Sequence, residues 1–241
     1  MTTRRVARER APDDMRTVTL ELDAAPHAEG SCLITTGNTR VLCTASVSET
    51  LPEWRAVGGA GWVTAEYAML PRSTHTRTPR ERNGPRGRTQ EIQRLVGRSL
   101  RSVVELGSVG PRTVILDCEV LQADGGTRTA AITGASVALH RALTHLVEDG
   151  VVDTHPMLDV VAAVSVGLVD GRPVLDLDYR EDASAQVDMN IVGTGSGELV
   201  EIQGTAEGHP FTRNELTELL DLGMGGIAAL VRAEKEALGL R

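Results

Sequence analysis

The chemistry in this sequence begins with two arginines in the same unusual place. In 87-GRT-89 and 127-TRT-129 an arginine is followed by a threonine where helical periodicity starts. A helix N-terminus carries partial positive charge and unpaired N–H groups, so it favours acids and anions over cations. Gly125 and Gly126 precede Arg128, and Gly87 precedes Arg88, so the backbone can bend tightly and approach a ligand closely. The conflict disappears if a phosphate-like anion binds there, taking helix N–H groups and a two-pronged guanidinium contact. The competing reading leaves each arginine in solvent, at a cost of roughly 0.3 kcal/mol.

Two further groups extend this chemistry. Residues 71–88 hold Arg72, Arg77, Arg80, Arg82, Arg86 and Arg88 against one acid, Glu81, a local net of +5. The whole chain carries −8, so the remainder carries −13. That segregation fits a polyanion, and the absence of Phe, Tyr and Trp from the stretch favours phosphate contacts over base stacking; a solvated loop is the alternative. In 176-DLDYREDASAQVDMN-190, Asp176, Asp178, Glu181, Asp182 and Asp188 gather near a strand end. Carboxylates suit Mg²⁺ or Mn²⁺, which take one or two of them plus substrate phosphates. A carboxyl could also protonate a leaving 3′-oxygen. The alternative is an acidic turn in a chain with 33 acids. His27 and His75 lie in loops, and no Ser or Cys pairs with either, so a hydrolase triad is unsupported; His75 is expected to add an RNA contact. The set suits phosphoryl chemistry on a nucleic acid. Inorganic phosphate as attacking group would remove the need for a protein nucleophile.

Elements must position these groups, and 241 residues suffice for one large domain or two fused halves. Hydrophobic content is 41% but aromatics only 2%, so aliphatic residues must build the core. A net charge of −8 excludes nucleic-acid binding over the whole surface. Residues 17–23 alternate as a strand; 31–36 and 39–47 form a hairpin about Gly37-Asn38; 61–70 and 112–122 are further strands. The stretch 71–88 reads as a long loop. Helical spacing runs from 89 to 106, closed by Gly107, and from Thr129 to Leu143, with Arg128 just ahead of the first turn. Residues 159–178 form two strands around Asp170-Gly171, and VDMNIVG and ELVEIQGTA two more. A final helix starts at Thr212 with Glu215 three residues on, a capping box. Gly223, Gly225 and Gly226 weaken it for no reason the sequence shows. Strand groups alternating with single helices give a mixed α/β (α+β) sandwich.

Cys32, Cys43 and Cys118 are odd in number, lack metal spacing and lie in apolar runs, so buried thiols in a reducing compartment are expected. No apolar run nears the ~20 residues of a membrane span, and MTTRRVARER has no apolar h-region. The expectation is a soluble cytoplasmic protein without a membrane partner.

The chain resembles the bacterial ribonuclease PH family along nearly its whole length. The blocks that carry the likeness include 39-TRVLCTASV-47, 61-GWVTAEYAMLPRSTHTR-77, 87-GRTQEIQRLVGRSLR-101, 116-LDCEVLQADGGTRTAAITGA-135, 182-DASAQVDMN-190 and 201-EIQGTAEG-208. The resemblance implies a phosphorolytic 3′→5′ exoribonuclease that trims tRNA precursors and releases nucleoside 5′-diphosphates. It implies phosphate held by Arg88, Gly126, Thr127 and Arg128, metal-associated catalytic aspartates at Asp182 and Asp188, and tRNA contacts from Arg72, Arg77 and Arg80. It also implies one domain over 1–241 with two weakly similar halves (about 1–110 and 111–241). The implied fold is the two-layer β-α sandwich shared with a ribosomal-protein S5-like domain, and the implied assembly a homohexamer, a trimer of dimers. The N-terminal block departs mildly, with Glu9 and Thr17 where the family has Gly and Pro. Two other readings are a non-catalytic RNA-binding ring subunit of the same fold and a phosphate-dependent enzyme of small nucleosides. The four site residues Arg88, Arg128, Asp182 and Asp188 oppose the first, and the +5 loop the second.

Overall fold

The computed structural model describes residues 10–208 and 210–240; the first nine residues, which include Glu9 and most of the charged N-terminal stretch, lie outside that range. Five strands form the first sheet: β1 (Val18–Leu22), β2 (Gly30–Thr36), β3 (Thr39–Ser48), β4 (Trp62–Met69) and β5 (Thr113–Gln122). Their order is β1-β2-β3-β5-β4, antiparallel except where β4 lies parallel to β5. A parallel pair needs a crossover, and helix α1 (Gly87–Arg101) supplies it, approached through the arginine loop. Period-2 burial in β3 and β5 turns Val41, Cys43, Leu116, Cys118 and Val120 inward. Cys32, Cys43 and Cys118 stand side by side across β2, β3 and β5, all unpaired and buried as expected. Burial pushes the Cys32 thiol up to about 12, so it is chemically quiet.

Helix α2 (Thr127–Glu148) lies at the centre of the molecule, with most of its residues buried. Ile132, Leu139 and Leu143 have no exposed surface, and burying each stabilises the fold by about 2 kcal/mol. The second sheet has the order β7-β6-β8-β9, all antiparallel: β6 (Val161–Val169), β7 (Arg172–Leu175), β8 (Val187–Thr194) and β9 (Leu199–Ala206). β7 covers β6 only along residues 166–169. The N–H groups of Val161 and Ala163, left without a strand partner, donate to Ser136 Oγ and Thr133 Oγ1 of α2 at 3.1 Å each. Buried hydroxyls on α2 thus seal the open half of that sheet edge. A four-residue turn, α3 (Tyr179–Asp182), joins β7 to β8. Helix α4 (Arg213–Leu238) closes the fold, and the capping box read between Thr212 and Glu215 is formed.

Both helix starts lie two residues earlier than the sequence periodicity gives. Arg88 and Arg128 are each the second residue inside the first turn, not ahead of it. For α2 the cause is Gly126, which reverses the chain at φ 66° and lets the helix begin at Thr127; that helix also runs on past Leu143. At the other end, α1 stops at Arg101 rather than near Leu106 and Gly107. Val103 and Val104 are drawn off to pair with the segment at 156–158, through the Leu158 N–H to Val103 carbonyl bond and a Val104–Met157 bridge.

The glycines of α4 now have a packing explanation. A Cβ on Gly223 would fall 2.4 Å from Ile191 Cδ1, and one on Gly226 would fall 2.8 Å from Leu175 Cδ1. The helix therefore approaches the second sheet more closely than alanine permits. Gly225 faces open space, and nothing in the structure explains it.

Candidate active site

β5 delivers the chain to residues 123–126, which turn it into α2. Gly125 and Gly126 both adopt left-handed conformations, φ 76° and 66°. A Cβ on Gly125 would lie 2.5 Å from the Leu177 carbonyl oxygen, so this loop packs backbone to backbone against the start of α3. Thr39 Oγ1 donates to the Gly125 carbonyl at 2.7 Å, and Thr129 Oγ1 to the Gly126 carbonyl at 2.9 Å. Arg16 Nη1 donates to the Asp124 carbonyl at 2.6 Å. Four fixed contacts hold a loop that ends in free helix N–H groups.

No acid stands in the first turn of α1 or α2, and no side chain caps either. Arg88, Gly126, Thr127, Arg128, Asp182 and Asp188 all line one cleft of about 580 Å³, with His75, Tyr179 and Asn190 on its walls. The Arg88 guanidinium makes no hydrogen bond or ion pair among the described residues. Arg128 Nη1 donates to Gln203 Oε1 at 3.3 Å and lies 3.6 Å from Glu91 Oε1, neither contact tight enough to occupy its fork. The Thr127 hydroxyl accepts a 2.9 Å bond from Tyr67.

The acidic cluster divides into two groups. Asp176 is buried and accepts from Arg16 Nη2 at 2.6 Å and Arg16 Nε at 2.9 Å. Asp178 caps α3, accepting from Arg180 and Glu181 N–H groups, and Glu181 takes Arg10 at 3.0 Å. These three are structural. Asp182, at the rim, and Asp188, on β8, remain for the cleft. Burial raises both carboxyls, opposed by the Arg88 and Arg128 guanidiniums. Asp188 reaches about 6, with the Asp182 charge as second cause after burial. Two carboxylates that repel each other beside free N–H groups form a fitting donor set for a divalent cation shared with substrate phosphate. Among the described residues no group of three or more His, Cys, Asp or Glu forms an all-protein cage.

The structure brings together six of the nine site residues read from the sequence. Arg72 lines an adjoining groove, and Arg77 and Arg80 are exposed on the loop; burial raises the Glu119 carboxyl's pKa, and Arg80 is close enough to oppose that rise. Sequence reasoning missed Tyr67, Tyr179, Asn190 and the Arg16–Asp176 pair. Asn190 had a signal: two residues from Asp188 on one strand, it must share that face. The Arg16–Asp176 pair spans 160 positions and leaves no local pattern.

Residues 14–144 match the family model described as "3′ exoribonuclease family, domain 1", and residues 159–226 match its domain 2. Two curated relatives named ribonuclease PH, from Methylobacterium nodulans and Methylorubrum populi, are each 58% identical over 95% of this chain and 98% of their own length. Among solved structures, rice Rrp46 superposes with a TM-score of 0.77 at 16% identity, covering 95% of this chain and 98% of that one. A chain of the Archaeoglobus fulgidus exosome with RNA bound to the active site gives 0.78 at 20% identity, covering 95% and 91%. At those identities the likeness is one of fold. No helix among the described residues is long and apolar enough to cross a membrane. Both family models and both relatives lead to one conclusion: this chain belongs to the ribonuclease PH family of 3′ exoribonucleases.

Proposed function

We propose that the chain is a phosphorolytic 3′→5′ exoribonuclease that trims the 3′ ends of tRNA precursors. One observation carries the reading: the second residues of α1 and α2, both arginines, line the same cleft as the two crowded carboxyls. Orthophosphate sits between Arg88 and Arg128, with Gly126 and Thr127 offering N–H groups and the hydroxyl. Its oxygen attacks the phosphorus of the terminal phosphodiester. The bond to the 3′-oxygen breaks, that oxygen takes up a proton, and a nucleoside 5′-diphosphate leaves. Asp182 and Asp188 would hold Mg²⁺ or Mn²⁺, which would neutralise charge on the reacting phosphates. Burial, and after it the Asp182 charge, raises the Asp188 carboxyl to about 6, and a divalent cation at the pair would favour the ionised form.

Arg72, Arg77 and Arg80 bind the tRNA by its phosphates. The working assembly is a homohexameric ring, a trimer of dimers, in the cytoplasm. The alternative of a non-catalytic ring subunit has no observation in its favour, since Arg88, Arg128, Asp182 and Asp188 line one cleft.

The deciding experiment incubates a 3′-extended tRNA with the protein, Mg²⁺ and phosphate. Nucleoside diphosphates should appear only when phosphate is present. Monophosphates released without phosphate would make the protein a hydrolase, and intact RNA under both conditions would favour the non-catalytic reading.

A further inference from the structure

A second groove, of about 830 Å³, adjoins the cleft, and Thr74, His75, Ala123 and Tyr179 line both. Tyr179 therefore forms part of the wall between them. It is 58% exposed in a chain with only five Phe, Tyr and Trp residues. Its ring touches no other ring, and its hydroxyl makes no hydrogen bond, among the described residues. Trp54, also exposed, is by contrast packed edge-on against Trp62 at 4.8 Å.

The backbone that carries this exposed ring is fixed in place. Tyr179 opens α3, whose capping box between Asp178 and Glu181 is itself tied to Arg10. A Cβ on Gly125 would lie 2.7 Å from the Tyr179 backbone nitrogen, so the ring's origin is fixed against the anion-binding loop. The charges of the groove divide in the same way as those of the cleft. Asp124 accepts from Asn38 at 3.0 Å, Asp178 is spent on the cap and Glu181 on Arg10. Arg72 and Arg180, both exposed, have no acid partner among the described residues. The groove thus presents one exposed ring on a fixed backbone and two cations without an acid partner among the described residues, the requirements for a single-stranded nucleic acid held by stacking and phosphate contacts.

We propose that this groove is a subsite for the second nucleotide from the RNA 3′ end, whose base stacks on Tyr179 while Arg72 and Arg180 pair with the phosphates that follow. The inference rests on the exoribonuclease reading, because that reading fills the first cleft with orthophosphate, the scissile bond and the terminal nucleoside. The next base on the retained strand then meets the shared wall. Stacking accepts any base, so this position carries no sequence preference.

The test is equilibrium binding of a fluorescently labelled single-stranded RNA in phosphate-free buffer, where nothing is consumed. The parent, Tyr179→Ala and Tyr179→Phe are compared on RNAs with a single abasic residue at each of the last four positions. Tyr179→Ala should weaken binding of the intact RNA about tenfold, and Tyr179→Phe should restore it. An abasic second nucleotide should cost the parent about the same factor and cost Tyr179→Ala nothing further. Coupling at the terminal nucleotide, or at none, overturns the subsite. Thermal melting of both variants guards against a folding defect, which the exposure of the side chain makes unexpected. Diphosphate release by the parent, measured separately with phosphate added, reports on the underlying reading independently of the binding result.

Discussion

The Tyr67 hydroxyl, rising from β4, donates its proton to Oγ1 of Thr127 at 2.9 Å, beneath the first turn of α2. An oxygen that accepts from below has its own proton free to point elsewhere, and the cleft is the side on which Thr127 is open. Burial raises the Tyr67 pKa, so the phenol stays protonated and remains the donor. Tyr67→Phe should leave the fold intact, costing about 1 kcal/mol, and raise KM for phosphate about fivefold. Affinity for RNA should not move. An unchanged phosphate KM would show that the Thr127 hydroxyl takes no part in anion binding.

Arg128 tests the central claim. Its two protein contacts are long and partly exposed, so Arg128→Ala should melt within a few degrees of the parent. Phosphorolysis should fall by a factor on the order of 10² or more, while RNA affinity stays within about threefold. A variant that unfolds would make the arginine a structural residue and remove it from the site.

Glu234 should set an alkaline limit on stability. Among the described residues neither carboxyl oxygen has a hydrogen bond of good geometry, and the side chain is fully buried in α4. Burial holds the carboxyl well above its ordinary 4.5, partly offset by the Ser136 hydroxyl and reinforced by Asp159. The folded chain therefore keeps a proton that the unfolded chain sheds above that value, so this residue costs more stability as pH rises. Glu234→Gln should melt close to the parent near pH 4.5 and above it at pH 8, with a gap that widens between. A constant gap across that range would show that the parent's carboxyl does not titrate differently on folding.

His140 should act in the opposite direction. It stacks on His155 with ring centroids 4.3 Å apart, and burial, then the His155 charge, lowers its pKa to about 4. The unfolded chain takes up a proton near 6.5 that the folded chain refuses, so stability is lost as pH falls from about 6.5 towards 4. Replacing the ring in His140→Gln should flatten the melting profile in that window. An equally steep profile would assign the acid sensitivity to other groups.

The α4 glycines give a paired test. Alanine is preferred to glycine inside a helix by about 1 kcal/mol. Gly225→Ala, with open space before it, should gain that stabilisation. Gly223→Ala places a methyl 2.4 Å from a fully buried Ile191 and should lose stability instead. Equal gains at both positions would mean that the helix shifts freely on the sheet.

Local rules were enough for much of this fold. Gly37-Asn38 marked its hairpin, and Thr212 with Glu215 marked its helix start, because each signal lies within a few residues of what it controls. Arg88 and Arg128 could be paired because helix dipoles make a cation at that position conspicuous. The family resemblance, borne out by the relatives, extended this to the activity. Sequence reasoning lost accuracy wherever a distant partner decided the outcome. Val103 and Leu106 continue the spacing of α1, yet tertiary pairing with 156–158 draws the chain away. Five acids looked alike in one run, and only Arg10 and Arg16, some 160 residues away, separate Asp176 and Glu181 from the pair in the cleft. Tyr179 gave no signal because its significance lies in having nothing to touch.

The close approach of Gly125 to Leu177 has a wider meaning. One side of that contact carries the guanidinium of α2, and the other leads into the turn bearing Asp182. The gap between cation and carboxylate is therefore set by how the loop after β5 packs against the segment between β7 and α3. Neither matched family region alone encloses the cleft, and a slip of an ångström between them would misalign the reagents while leaving every helix and strand intact. On gentle denaturation, turnover should vanish before circular dichroism records any loss of secondary structure.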